Sequence, residues 1–250
     1  MKQNVIVIRH LVKRFGSQTV LDSVDLDVRD GETMVVMGRS GCGKTVLLRH
    51  IIGLVRPDSG VILVDGLDVP RLGVKALTQL RKRFGMVFQS SALFDSMTVE
   101  QNVGLALRKH SGLSEAEIRD RIAASLGRVE LKGVEDLLPS ELSGGMKKRV
   151  SLARAIATSP EFILYDEPTA GLDPVTARAI NKLIVRLKEG MSVTSVVVTH
   201  DVASAFEIGD RIAFLHEGDI RLTGTPDEVS CSDDPVVDEF INGEQASLRR

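Results

Sequence analysis

A glycine-rich segment at residues 38–45 has the residue types and spacing of a phosphate-binding loop. It reads Gly38-Arg39-Ser40-Gly41-Cys42-Gly43-Lys44-Thr45, and it lies between an apolar run at residues 33–37 and an apolar helical pattern at residues 47–52. Glycines let successive backbone N–H groups point inward, and the following helix adds the positive end of its dipole. We expect Lys44 to reach the β- and γ-phosphates of a nucleotide and the Thr45 hydroxyl to bind Mg²⁺. The alternative is a glycine turn that only caps a helix.

Two carboxylates follow a second apolar run. They could help to bind a metal ion and could activate water, which the residues of a phosphate loop do not do by themselves. The run is Phe162-Ile163-Leu164-Tyr165, and Asp166 and Glu167 come directly after it. We expect Asp166 to hold Mg²⁺, usually through water, and Glu167 to orient and polarise an attacking water. Alternatively, both carboxylates are solvated in a strand-to-loop turn.

A second glycine pair, with a hydroxyl beside it, precedes a helix predicted over residues 147–158. The segment is Leu142-Ser143-Gly144-Gly145-Met146. A helix N-terminus with exposed N–H groups favours an anion, so the segment is a candidate anion site or an ordinary helix cap. The basic run Lys147-Lys148-Arg149 on this helix is expected to be a solvated face.

Strand and helix patterns alternate along most of the chain, which predicts an α/β fold with a mostly parallel sheet. A small antiparallel β region is expected from the early strands, and helix signals replace strand signals from about residue 90 to 159. The predicted organisation is a nucleotide-binding core at residues 1–89 and 160–230, a helical insertion at 90–159 and a tail at 231–250. The predicted strands are residues 5–12, 19–28, 33–37, 61–64, 84–88, 161–165, 193–198, 212–216 and 220–223.

Composition excludes several classes of protein. A net charge of −2 gives no electrostatic argument for binding nucleic acid. Cys42 and Cys231 are expected to be thiols in a reducing cytoplasm, because a disulfide at Cys42 would obstruct the loop. No run approaches the ~18 to 20 apolar residues of a membrane span, and no signal-peptide pattern follows the N-terminus. We therefore expect any action at a membrane to go through a partner.

Taken together, the motifs resemble the nucleotide-binding subunit of an ABC transporter over about residues 4–230. In chain order they are the phosphate loop, Gln89, the signature Leu142-Ser143-Gly144-Gly145-Met146, the pair Asp166-Glu167, Gly171-Leu172-Asp173 and Thr199-His200-Asp201. The resemblance implies an ATPase with a phosphate-loop core and a helical subdomain, using ATP and Mg²⁺.

The resemblance also implies a composite site made by two copies of the chain. Ser143, Gly144 and Gly145 of one copy meet the γ-phosphate that Lys44 of the other copy holds. ATP binding then closes the dimer and hydrolysis opens it, which can drive a membrane permease.

Four further residues acquire roles from the same resemblance. His200 contacts the γ-phosphate and helps to position the water. Gln89 senses Mg²⁺ or water and links hydrolysis to the helical part, with a plain surface glutamine as the alternative. Phe15 stacks on the adenine, with burial in the antiparallel sheet as the alternative. Asp173 contacts the other subunit or caps a helix, and the two roles are compatible.

A narrower resemblance, to the ATPase of Mla- or Mce-type lipid transporters, rests on Met146 and two other segments. Most ABC ATPases have Gln where this chain has Met146, and residues 88–95 and 234–243 look like the same narrower family. It implies an ATPase at the cytoplasmic face of the inner membrane, working with a permease, an Mce-domain protein and in some systems a STAS-domain protein. Other cargo, such as amino acids, or a soluble ABC ATPase without a transport role are the alternatives.

Two apolar stretches are open to more than one interpretation. Leu93, Phe94 and Met97 are expected either to line a groove for a permease helix or to belong to the core of the helical insertion. The tail from Ser232 carries four apolar residues at helical spacing, Val236, Val237, Phe240 and Ile241. It is expected either to reach the neighbouring ATPase subunit, to pack on its own domain or to fray.

Overall fold

The chain folds as an α/β protein in a computed structural model that describes residues 3–247. The predicted tail, residues 231–250, extends beyond this range. The strands are β1 Asn4–Phe15, β2 Gln18–Arg29, β3 Thr33–Met37, β4 Ser59–Val64, β5 Leu67–Asp68, β6 Phe84–Val87, β7 Phe162–Asp166, β8 Thr194–Thr199, β9 Arg211–His216 and β10 Asp219–Gly224. The helices are α1 Lys44–Ile51, α2 Val74–Lys82, α3 Val99–His110, α4 Glu115–Arg128, α5 Gly144–Ile156, α6 Pro174–Met191, α7 Val202–Ile208, α8 Pro226–Ser230 and α9 Pro235–Ser247.

The described residues form two compact units. Unit 1 contains the residues up to Arg81 and those from Thr194 onward, and unit 2 is Lys82–Val193. Unit 2 is larger than the predicted helical insertion at residues 90–159. It also takes in β6 and β7, which pair in parallel from Phe84↔Phe162 to Val87↔Tyr165, because this pairing joins the strands to the helices that pack beside them.

Unit 1 contains the expected antiparallel β region, a four-stranded sheet in the order β2-β1-β4-β5. Strand β1 pairs antiparallel with β2 and with β4, and its register places Ile6 opposite Val64 and Ile8 opposite Ile62. These four side chains are fully or almost fully buried, as the alternation of β1 predicts. The strand runs past its predicted end at residue 12 to Phe15.

A second set of strands in unit 1 places the phosphate loop. Strand β3 pairs in parallel with β8 and with β9, so that Met37 lies opposite both Thr199 and Phe214. Every residue of β3 and β8 is buried, which explains why both segments read as continuous apolar or small-residue runs. Because the carboxyl ends coincide, Gly38, His200 and Leu215 follow at one edge of this set.

The tail packs on unit 1 of its own chain. Val237, Phe240 and Ile241 of α9 are buried, and the Phe240 ring lies 5.2 Å from that of Phe214 on β9. An ion pair of 2.8 Å also joins Glu239 to Arg39 in the phosphate loop, although both side chains are largely exposed. The structure therefore matches the expectation of packing on its own domain, and a contact with a second subunit stays a prediction.

Replacing Phe240 with Ala is expected to lower the free energy of unfolding by about 3 kcal/mol, because it leaves a cavity against Phe214. Chemical denaturation measured by circular dichroism would test this. Val236→Ala is the matched control, since Val236 lies on the same helix but is only partly buried. An equal and small effect of both changes would show that α9 does not pack stably on unit 1.

Unit 2 contains the predicted helical stretch as α3, α4 and α5, followed by α6. Capping boxes at Thr98 and Ser114 begin α3 and α4, and Asp173 with Pro174 begins α6. Helix α5 begins at Gly144 rather than at Lys147, because the Ser143 side chain caps it. Among residues 3–247, no helix combines the length and the apolar character needed to cross a membrane.

Candidate functional site

The phosphate loop of unit 1 has a conformation that its glycines make possible. Gly43, which directly precedes α1, has φ of 108°, a value that L side chains rarely adopt. Any side chain at Gly38 would collide with the carbonyl oxygen of Leu215 on β9. Residues 39–41 at the tip of the loop are exposed, so a ligand can approach the backbone there.

The Lys44 ammonium is held within this loop. The side chain is 5% exposed, and Nζ donates to the carbonyl oxygens of Gly38 at 2.7 Å and of Arg39 at 3.1 Å. A buried cation inside a glycine turn at a helix N-terminus is an arrangement that favours a phosphate. Thr45 lies next to it in the first turn of α1.

Phe15 and His200 belong to the same unit. Phe15 ends β1 with half of its surface exposed, and the Lys13 ammonium lies 5.2 Å from its ring centroid. The alternative of a Phe buried in the antiparallel sheet is therefore wrong. His200 is partly exposed and follows Thr199 at the strand edge where the phosphate loop begins. Stacking on adenine by Phe15 and phosphate contact by His200 stay predictions.

In unit 2, the two carboxylates lie at the end of β7. Asp166 is 5% and Glu167 8% exposed, so neither is the solvated turn residue of the alternative interpretation. The parallel register of β6 and β7 brings Gln89 to the same edge, since Val87 lies opposite Tyr165. Glu167 has φ of 48°, the left-handed region that is costly for a residue with a side chain.

Lys148 was missed by sequence reasoning and turns out to be buried beside this edge. Its Nζ donates to the carbonyl oxygens of Gln89 at 2.5 Å and of Glu167 at 3.3 Å. Burial lowers the pKa of the Lys148 ammonium, while the carboxylates of Glu167 and Asp166 act in the opposite direction. The prediction of a solvated basic face is therefore wrong for Lys148. A sequence signal existed, because Lys148 falls on the side of α5 that also carries the buried Ser151 and Leu152.

The signature segment begins α5. The Ser143 hydroxyl accepts a hydrogen bond of 3.2 Å from the backbone N–H of Met146, so Ser143 acts as a helix cap. Ser143 and Gly144 are exposed, and Gly145 leaves room for Thr176, whose Cγ2 would lie 2.8 Å from a Cβ at that position. The cap and an anion site use the same helix end, so the structure is compatible with both predicted roles.

Met146→Gln is expected to keep the rate of ATP hydrolysis within roughly three-fold of wild type, because a partly exposed change that preserves the cap alters energies by about 0.5 kcal/mol. The hydrogen bond from residue 146 to Ser143 comes from its backbone and survives the change. Steady-state phosphate release measures the effect. A hundred-fold loss would show that the thioether has a specific role in the signature.

Asp173 is the N-cap of α6. Its carboxylate accepts hydrogen bonds of 3.0 Å from the backbone N–H groups of Val175 and Thr176, and it also bonds the Thr176 hydroxyl. The Thr176 hydroxyl and then its backbone N–H lower the pKa of Asp173, so the capping form is the carboxylate. Asp173 is exposed, and its contact with a second subunit stays a prediction.

Oxygen donors of the kind that Mg²⁺ prefers are present among the predicted ligands. They are the hydroxyl of Thr45, the amide of Gln89 and the buried carboxylate of Asp166. No group of three or more His, Cys, Asp or Glu side chains within residues 3–247 forms a separate metal site. The residue types therefore fit a cation that phosphate oxygens also hold.

Cys42 and Cys231 are both thiols, as expected.

Comparisons with known proteins agree on the family, while the names of the relatives differ in the cargo. A family model described as ABC transporter matches residues 21–170. The intermembrane phospholipid transport system ATP-binding protein MlaF of Haemophilus influenzae is 41% identical over 98% of this chain and 92% of its own length. The "probable ribonucleotide transport ATP-binding protein mkl" of Mycobacterium leprae is 41% identical over 95% of this chain and 69% of its own length. A solved dimeric ATP-binding cassette in a post-hydrolysis state, bound to ADP and Pi, is 34% identical with a TM-score of 0.81, covering 88% of this chain and 98% of that one.

Proposed function

Because this chain belongs to the ABC transporter family and is an ATPase of that family, we propose that two copies close on ATP to drive a lipid-transporting permease of a bacterial envelope. The observation that supports a lipid as the cargo is the identity of 41% with an MlaF protein over nearly the full length of both chains. Met146 in the signature favours the same narrower family.

The reaction is attack of water on the γ-phosphate of ATP, releasing ADP and phosphate. The loop backbone and the Lys44 ammonium bind the β- and γ-phosphates, and Phe15 stacks on the adenine. Glu167 orients and polarises the water, and His200 holds the γ-phosphate against it. Thr45, Gln89 and Asp166 would hold Mg²⁺, which would supply positive charge beside the phosphate oxygens.

A second copy of the chain completes the site. We propose that the Ser143 hydroxyl and the Gly144 and Gly145 N–H groups of one copy donate to the γ-phosphate bound by the other. The exposed N-terminus of α5 supports this, because its helix dipole favours an anion there. The related solved cassette is dimeric, which supports the same arrangement.

The loop after Gln89 is the proposed contact with the permease. Phe94 is half exposed, and Leu93 and Met97 are only partly buried, so they are not the core residues of the alternative interpretation. The buried side chain of Asn102 holds this loop, accepting from the Phe94 N–H at 2.8 Å and donating to the Met97 carbonyl at 3.0 Å. A rigid loop with an exposed aromatic ring suits docking of an apolar helix.

The proposed position is the cytoplasmic face of the inner membrane, where the ATPase is peripheral and held by the permease. An Mce-domain protein and a STAS-domain protein are the further proposed partners. Transport of a polar solute is the second candidate, because mkl proteins carry a ribonucleotide transport name at a similar identity.

Affinity purification from native membranes in mild detergent tests the proposal. We expect a permease, an Mce-domain protein and phospholipids to co-purify with the chain, as detected by mass spectrometry. Phe94→Glu should reduce recovery of the permease, whereas Leu67→Glu should not, since Leu67 is a comparably exposed apolar residue on the short strand β5. Recovery of a polar-solute permease without an Mce-domain protein would overturn the lipid assignment.

A further inference from the structure

We propose that Lys148 is a positioning residue for ATP hydrolysis, which holds the peptide groups of Gln89 and Glu167 in place. This inference rests on the proposed role of Glu167 as the residue that orients the water. Lys148 does not touch the reacting atoms in this scheme; it acts through the backbone of two residues that do. All three residues lie in unit 2.

The contacts of Lys148 join segments that are far apart in sequence. Its Nζ lies 2.5 Å from the Gln89 carbonyl oxygen and 3.3 Å from that of Glu167, and the residue is only 4% exposed. A lysine on a helix normally extends its ammonium into water, because burying a charge is costly. A buried ammonium that donates to two loop carbonyls is therefore a specific arrangement.

The backbone of Glu167 shows what the ammonium stabilises. With φ of 48°, Glu167 is in the left-handed region, which persists only where the surroundings hold it. Its carbonyl oxygen accepts from Lys148, so the ammonium opposes rotation of this peptide toward the right-handed region. Because the backbone conformation sets the direction of the side chain, loss of Lys148 is expected to misplace the Glu167 carboxylate.

A second cation of α5 holds the segment that follows Gln89. Arg154 donates to the carbonyl oxygens of Ser91 at 2.9 Å and of Ala92, and these residues have φ of 62° and 45°. Helix α5 thus has Ser143 at its N-terminus, and two of its cations bind backbone carbonyl groups at residues 89–92. Of these two cations, Lys148 also donates to the carbonyl oxygen of Glu167. We therefore assign to Lys148 the positioning of the Glu167 carboxylate.

The test compares Lys148→Met, Lys148→Arg and the control Lys147→Met in steady-state ATP hydrolysis. We expect Lys148→Met to lower kcat roughly 10- to 100-fold, the effect of a small misplacement of a reacting group, with KM for ATP changed by less than about three-fold. Lys148→Arg restores charge and donors and should recover most of kcat. Lys147 is the adjacent, partly exposed lysine of the same helix, and its change should leave kcat near wild type.

Outcomes that overturn the inference are equally clear. Wild-type kcat in Lys148→Met would do so, and so would a matched loss of kcat in Lys148→Met and Lys148→Arg with folding intact by circular dichroism. If Lys148→Met does not fold, Lys148→Gln replaces it, since glutamine keeps a donor without the charge. The same result is expected of Lys148→Gln: a lower kcat with KM for ATP nearly unchanged.

A double-mutant cycle separates this inference from the proposed role of Glu167. If Lys148 acts through Glu167, single-turnover hydrolysis by Glu167→Gln/Lys148→Gln should be within about two-fold of Glu167→Gln alone, because coupled residues are not additive. A further ten-fold loss would show that Lys148 acts elsewhere and would overturn the inference. Wild-type hydrolysis in Glu167→Gln alone would instead overturn the role of Glu167.

Discussion

Lys44→Ala is expected to abolish measurable ATP turnover and to weaken nucleotide binding. The Lys44 ammonium is the buried cation of the phosphate loop, held by the carbonyl oxygens of Gly38 and Arg39. Removing a preorganised donor from the transferring group costs roughly 100- to 1,000-fold in rate. Phosphate release and titration with a fluorescent ATP analogue measure the two effects.

Lys75→Ala is the matched control for this experiment, because Lys75 is an exposed lysine of α2 in the same unit. It should hydrolyse ATP like wild type. The bonds from Lys44 to the carbonyl oxygens of Gly38 and Arg39 lie within the loop itself, and we expect only a small change in thermal stability from their loss. Turnover in Lys44→Ala equal to that of the control would remove the assignment of residues 38–45 as the phosphate loop.

Glu167→Gln is expected to slow hydrolysis by about 10²- to 10⁴-fold, the range that a positioned general base contributes. Glutamine has nearly the same volume and the same backbone preferences, so the left-handed conformation at this residue should persist. ATP binding is retained, and the ATP-bound dimer should therefore accumulate. Single-turnover hydrolysis and size-exclusion chromatography with ATP and Mg²⁺ measure both consequences.

Glu161→Gln is the control for the second prediction. Glu161 lies beside the opposite end of β7, is exposed and pairs with Arg83 at 2.6 Å, so it is a carboxylate of the same unit outside the proposed chemistry. Glu161→Gln should hydrolyse ATP at a rate near that of wild type. In the presence of ATP, its fraction of monomer should equal that of wild type. Equal rates in Glu167→Gln and Glu161→Gln would assign the water to another residue.

Local signals in the sequence were sufficient for most of the secondary structure. Strands β3, β7 and β8 were predicted closely, because a strand buried on both faces requires a continuous run of apolar or small residues. The caps at Ser114 and Asp173 were predicted because a capping residue and its partner are three or fewer positions apart. Strand β5 was missed, since its two residues, Leu67 and Asp68, are too few to show a period.

Interactions between distant segments were beyond the reach of these signals. The position of Lys148 on the buried side of α5 indicates burial, but its hydrogen-bond acceptors are carbonyl groups 59 and 19 positions away, which the helix pattern does not indicate. The choice among three fates for the tail depended on whether Phe214 of β9 offers a partner for Phe240. The extent of unit 2 likewise depended on the pairing of β6 with β7.

For the phosphate loop, the sequence by itself determined the chemistry, because glycines, a lysine and a threonine at fixed spacing serve one kind of ligand. For the carboxylates after β7 the sequence supplied the residue types, and their roles stay predictions. The tertiary structure alone decided how Glu167 is held, with an unfavourable φ and a buried ammonium at its carbonyl oxygen. The reason is physical: residue type sets which bonds a group can form, whereas only the folded chain brings a cation of α5 to the end of a strand that follows it in sequence.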